Sequence, residues 1–169
     1  MKYLHFALLL ILPTITFGQK QKKADEQTLK FRYEIEAYAT GIQGSYQVKI
    51  WSFAKDANIA IEQSKKNAVH GIIFKGFPSK ERIKGQRPLA GNNMNLESEK
   101  ADFFKDFFAE GGKYLKYVSL DNNGAVMPGD RIKISKKEYK IGVIVNVNVS
   151  DLRKDLEQAG VIKSLSYGF

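Results

Sequence analysis

Small and apolar residues recur at steps of three and four in residues 55–77, at Ala57, Ala60, Ile61, Ser64, Ala68 and Ile72. That spacing predicts one face of an amphipathic helix. Glu62, Gln63, Lys66, Asn67 and His70 fall on the other side, read as the wet face. Asp56 stands where an N-cap or first-turn acid belongs. Gly71 is placed as the residue that ends the helix. Residues 72–74 then read as a strand, with a continuing helix as the other option.

Two strand patterns precede this helix. In residues 29–39, Phe31, Tyr33, Ile35, Ala37 and Ala39 alternate with Lys30, Arg32, Glu34 and Glu36. Period-two alternation marks a half-buried strand. Residues 41–44 make a turn and 46–53 a second strand, so the pair predicts a hairpin. Trp51 and Phe53 share a face with Gln47 and Lys49, and Tyr46, Val48 and Ile50 make the more apolar face.

After the helix comes a long connection over 75–96, rich in Gly, Pro and Asn. Residues 97–110 predict a second helix with Phe103, Phe104, Phe107 and Phe108 in one apolar stripe. Its expected role is core packing, and Gly111 and Gly112 end it. Residues 114–120 read as a strand and 121–124 as a turn. Residues 131–135 and 139–149 predict a second hairpin, with Tyr139, Ile141, Val143, Val145, Val147 and Val149 on one face. Ser150 is expected to cap a short helix carrying Leu152, Leu156 and Ala159, closed by Gly160. Residues 161–169 are expected to form a last strand. Were it parallel to its neighbour, the connection would be right-handed.

These elements predict an α+β fold. One two-layer domain over 29–169 carries a mainly antiparallel sheet, two longer helices and a short C-terminal helix. Size agrees: 169 residues with 11 Phe, 8 Tyr and 1 Trp can bury one core.

The amino end changes the picture more than composition does. Lys2 followed by the apolar run FALLLIL, with Thr16 and Gly18 before Gln19, has the layout of a secretory signal peptide over 1–18. That run is too short for an ordinary membrane span. Residues 19–28 form a polar leader. The expected destination is the periplasm, the outer membrane surface or the medium. Removing 1–18 removes one cation, so the mature chain keeps 26 Lys and Arg against 18 acids, a net +8.

There are no cysteines, which excludes disulfides, zinc thiolate sites and thiol nucleophiles. His70 is the sole histidine after residue 18, too few for an imidazole metal site. It reads as a surface residue. No G-x-S-x-G, phosphate-binding loop or dinucleotide fingerprint occurs. Glu34 with Glu36, and Asp102 with Asp106, lie on solvated faces without the apolar setting that tunes a general acid. The run DNNG at 121–124 lacks a calcium loop's terminal acid, because Ile132 stands at the twelfth position. No catalytic constellation, metal or cofactor is expected.

Two basic clusters remain as candidate binding residues. One is Lys75, Lys80, Arg82, Lys84 and Arg87; the other is Arg131, Lys133, Lys136, Lys137 and Lys140. They suit an acidic envelope protein or an anionic glycan or lipid. Nucleic acid would attract them too, but export makes it the less available partner.

The order of hairpin, alanine-rich helix DANIAIEQSKKNAV and following GIIFKGF resembles the small exported α+β domains of the Lpp20 and flagellar FlgT amino-domain type. The resemblance covers roughly residues 29–77, and the FGQ ending of the leader resembles signal peptides common in Bacteroidota. It implies a non-catalytic assembly or binding role in the envelope and carries no site residues across. The expected function is an exported accessory protein acting through protein or anionic-surface contacts. The alternative is a small ligand-binding or carbohydrate-processing protein using the Trp51 and Phe53 face.

Overall fold

The computed structural model describes residues 31–164. The leader segments 1–18 and 19–28 lie outside these residues, as do positions 165–169.

Strands β1 (Tyr33–Thr40) and β2 (Ser45–Ala54) form the expected antiparallel hairpin. A bulge between Ala37 and Ala39 shifts its register. The other edge of β2 pairs along its length with β5 (Glu138–Asn148), from Ser45 opposite Asn148 to Ala54 opposite Tyr139. Strands β3 (Val118–Leu120) and β4 (Arg131–Ser135) share the far edge of β5, one at each end. The result is a five-stranded antiparallel sheet with β5 at its centre.

Register sorts the side chains. Ala37, Val48 and Val145 lie across from one another, as do Ile35, Ile50 and Val143. Val48, Ile50, Val143 and Val145 are all fully buried. Each such side chain stabilises by about 1.5–3 kcal/mol. Helix α1 (Ala57–Phe74) lies on this face. Ala60, Ser64 and Ala68, all buried without residual exposure, bring its backbone close to the strands. Asp56 caps it as expected, its carboxylate accepting from the Ile59 amide at 3.1 Å.

The end of α1 differs from expectation. The helix passes through Gly71 and takes in Ile72, Ile73 and Phe74, so no strand forms there. The amides of Lys75 and Gly76 both donate to the Gly71 carbonyl, at 2.9 and 2.8 Å. Gly76, at φ +64°, supplies the left-handed residue that closes a helix. Gly71 serves packing instead. A Cβ there would lie 2.9 Å from the Ile35 methyl and 3.3 Å from the Tyr33 ring.

The wet face of α1 is corrected as well. Gln63, Lys66, Asn67 and His70 are buried, at 2 to 7% exposure. The helix is flanked on a second side by β3 and by a 3₁₀ turn at Lys113–Tyr117. Polar groups taken inside must find partners. Asn67 donates to the Ser52 hydroxyl at 3.0 Å.

The second helix is split into α2 (Leu96–Glu99) and α3 (Ala101–Phe107) at Lys100, which leaves helical geometry. The split lets Leu96 and Phe104 both enter the core. Phe104, Phe107 and Phe108 are buried there, and Phe104 meets Phe74 edge-on at 4.9 Å. Over 114–120, only the last three residues form a strand. Tyr114 and Tyr117 instead share one side of the 3₁₀ turn, where residues three apart eclipse.

Helix α4 (Val149–Gln158) is capped by Asn148 rather than Ser150, its amide oxygen accepting from the Asp151 N–H at 3.0 Å. Leu152 and Leu156 are buried, whereas Ala159 is exposed. Val161 and Ile162 are buried but make no strand, so no parallel strand–helix–strand unit occurs among the described residues. No helix among them is long and apolar enough to cross a membrane.

The two glycines give a test of where α1 ends. Gly76→Ala should lose more than about 1–2 kcal/mol, the cost of an L-residue in the left-handed region, because its Cβ also meets the Gln86 carbonyl oxygen. Gly71→Ala should lose clearly less, since a gain of about 1 kcal/mol in helix propensity offsets displacement of a flexible methyl. Urea unfolding midpoints compare them; the reverse order would return the helix end to Gly71.

Candidate functional site

The 75–96 connection is an ordered excursion rather than a loose loop. Phe77 pairs with Gln86 and Lys80 with Ile83, in two isolated antiparallel bridges. The amides of Leu89 and Ala90 donate to the carbonyls of Ile72 and Ile73 at 3.1 and 2.9 Å. These are among the carbonyls that a helix end leaves unsatisfied, so the connection completes α1.

Its basic residues have separate fates. Lys75 lies over the Tyr33 ring, 3.7 Å from its centroid. Lys80 pairs with Glu36 on β1 at 3.2 Å. Arg82, Lys84 and Arg87 are exposed, and their side chains make no hydrogen bond or ion pair among the described residues. Lys84 lines an open cleft of about 470 Å³ with the 40–46 turn, Ile83 and Arg153.

The second cluster divides the same way. Arg131 covers the Tyr139 ring at 4.4 Å, and Lys140 grips Glu34 at 2.7 Å. Lys133, Lys136 and Lys137 are exposed, with side chains likewise unpaired among the described residues. The unpaired cations of the two clusters do not converge, although Lys80 and Lys140 both reach the Trp51 neighbourhood, Lys80 through Glu36. Lys84 sits by the 40–46 turn, at the Ser45 end of β2, while the β4–β5 turn lies at the Ala54 end. Ten residues of β2 separate them, roughly 30 Å of strand.

The sheet face opposite α1 carries Trp51 and Phe53, and its charges are used internally. Arg32 lies 4.1 Å over the Phe53 ring and pairs with Glu138 at 3.0 Å. Lys49 and Lys140 lie 5.4 and 5.2 Å from the Trp51 ring. The Trp51 indole N–H donates to Glu36 at 3.0 Å, and the ring lies against Gly142, where a Cβ would be 3.1 Å from it. Burial pushes the Glu36 carboxyl up, but the Trp51 and Lys80 hydrogen bonds and the charges of Lys80 and Lys49 outweigh it and hold it below the usual carboxylate range. Lys49 and Asp130 form a mostly buried pair at 2.9 Å. Asp102 and Asp106 stay on an exposed surface. The DNNG run is a turn, with Asn122, Asn123 and Gly124 all at positive φ. Among the described residues no group of three or more potential metal ligands gathers.

His70 is not a surface residue. It is 4% exposed, with Phe31 stacked on its ring at a centroid distance of 3.6 Å. Nδ1 lies 2.7 Å from the Tyr33 hydroxyl and Nε2 3.3 Å from a Glu97 oxygen. The Glu97 carboxylate can only accept, so Nε2 of the neutral ring carries the proton toward it and Nδ1 accepts from the Tyr33 hydroxyl, a phenol that burial and the Glu97 charge keep protonated far above its usual range. Burial holds the imidazole below its ordinary pKa; Glu97 opposes that shift and the Lys75 charge adds to it. The His70 hydrogen bond lowers Glu97 despite partial burial. Tyrosine, histidine and glutamate thus form a neutral-histidine relay tying β1, α1 and α2 together. No family model, curated protein or solved structure matches this chain.

The relay fixes a direction for acid sensitivity. An unfolded His70 binds its proton near pH 6.5, and the folded one binds it only at lower pH. Below pH 6.5 the unfolded state therefore holds more protons, and stability falls as pH falls. Glu97 adds a loss of the same sign, below the ordinary carboxylate pKa of 4.5. His70→Gln should be less stable at neutral pH yet show a shallower decline between about pH 6.5 and pH 5, measured by urea unfolding across that range. An unchanged slope would remove His70 from the acid response.

Proposed function

We propose that this chain is an exported, non-catalytic accessory protein of the cell envelope, binding an anionic partner through cations that its fold leaves unpaired. One observation carries the reading. The fold uses Lys75, Lys80, Arg131 and Lys140 internally but leaves Arg82, Lys84, Arg87, Lys133, Lys136 and Lys137 projecting without partners among the described residues. Fully hydrated cations steer an oppositely charged partner and add little to folding. The leader pattern over 1–18 supports export, which favours an acidic envelope protein, glycan or lipid over nucleic acid.

The ligand-binding alternative at Trp51 and Phe53 has less support. Those rings already carry the protein's own cations, and the Trp51 N–H is taken by Glu36. A sugar ring would have to displace them.

Because the side chains of these cations make no hydrogen bond or ion pair among the described residues, reversing them should spare the fold, changing stability by within about 0.5 kcal/mol. The combined Arg82→Glu, Lys84→Glu and Arg87→Glu variant, and a separate Lys133→Glu, Lys136→Glu and Lys137→Glu variant, are tested by crosslinking in cells and mass spectrometry. At least one should lose its envelope partner, and wild-type capture should weaken with added salt. Full capture by both would end the reading.

A further inference from the structure

Every residue of strand β4 is exposed, Arg131 while also lying over the Tyr139 ring. Arg131, Ile132, Lys133, Ile134 and Ser135 are all exposed, the two isoleucines at 45% and 49%. Pairing with β5 covers one edge, and no other strand among the described residues meets the second. Met127, just upstream, is 56% exposed. A strand with two open faces and an open edge gains little from its own domain, and β-branched apolar side chains have no reason to stand in water there.

Resting on the binding role proposed above, we infer that β4 is a strand-addition site for an extended peptide in which acidic and apolar residues alternate. Ile132 stands opposite Lys140 on the face away from α1, while Arg131 and Lys133 stand opposite Ile141 and Tyr139 on the other face. Cations and the first isoleucine thus point to opposite sides of the strand. A flat anionic membrane meets one side only, and it cannot satisfy an open row of backbone donors and acceptors. An added strand meets both sides and pairs that row. Acids on it would lie beside Arg131 and Lys133, and an apolar residue beside Ile132. A second copy of this chain is a poor occupant, because antiparallel self-pairing sets these cations against each other. The bulge between Lys133 and Ser135, with Ile134 inside it, further spoils a flat self-complementary edge.

The test uses the purified chain and a blocked synthetic pentapeptide alternating glutamate and valine. Peptide at about 1 mM should slow amide hydrogen exchange in 131–135 by about tenfold or more at alternate residues, with no change in sedimentation. The Arg131→Glu, Lys133→Glu variant should abolish the slowing, and an alternating lysine–valine peptide should never produce it. The Arg82→Glu, Lys84→Glu, Arg87→Glu variant should keep it. Circular dichroism checks the fold, and Ile132→Thr, which alters one exposed side chain, should weaken the effect independently. No slowing, slowing with phosphatidylglycerol vesicles instead, or peptide-free dimers protected at β4 would each overturn the inference. Failure here with envelope capture intact would leave the proposed function standing, and slowing at β4 without any captured partner would remove that function alone.

Discussion

The constraint on which the rest depends is the closeness of α1 to the sheet. Ala60, Ser64, Ala68 and Gly71 present so little side chain that the helix backbone settles onto Val48, Ile50, Val143 and Val145. A helix held that near has its flanks within reach of whatever follows in the chain. The 3₁₀ turn at Lys113–Tyr117, strand β3 and the phenylalanines of α3 close over it. Burial on several sides then draws Gln63, Lys66, Asn67 and His70 inside, where His70 and the Asn67 amide N–H find partners among the described residues but Gln63 Oε1 and Asn67 Oδ1 do not. The Tyr33–His70–Glu97 relay and the Asn67–Ser52 bond follow from that geometry and need no catalytic purpose.

The same arrangement divides the charges. With one sheet face given to α1, the opposite face must be stable in water without a covering layer. It achieves this by laying cations over its aromatics and pairing them with Glu34, Glu36, Asp130 and Glu138. Apart from the mostly buried Lys49–Asp130 pair, these pairs are exposed and individually weak, so their main effect is to occupy the face. What remains unpaired is pushed to the two ends of the sheet. That is why the cations available to a partner sit on the 75–96 excursion, on β4 and in the β4–β5 turn.

Much of this was legible along the chain. The α+β class, both hairpins, the Asp56 cap and the core role of the phenylalanines follow from local periodicity, because each strand of the β1–β2 hairpin has one dry and one wet face. The end of α1 was not legible. Gly71 and Gly76 look alike in sequence, and only the approach of Ile35 and Tyr33 tells a packing glycine from a terminating one. The burial of His70 was missed for a related reason. Periodicity assigns a helix one dry face, yet Val69 to Ile73 are buried in succession, and the run VHGIIF was the available sign of a helix enclosed all round. Which lysines stay free depends on Glu34 and Glu36, far away in sequence, so a count of basic residues could not sort them.

Strand β5 has a temporal consequence. It is the partner of β2, β3 and β4 at once, yet it begins more than 80 residues after β2 ends. The first hairpin and its helix can form early, but the sheet has no centre until nearly the whole chain is available. Such non-local pairing slows folding, since loop closure must be accomplished before any strand contact repays it. A chain threaded through a membrane from its amino end would remain unlocked through most of its passage, and would acquire its lasting shape only on the far side.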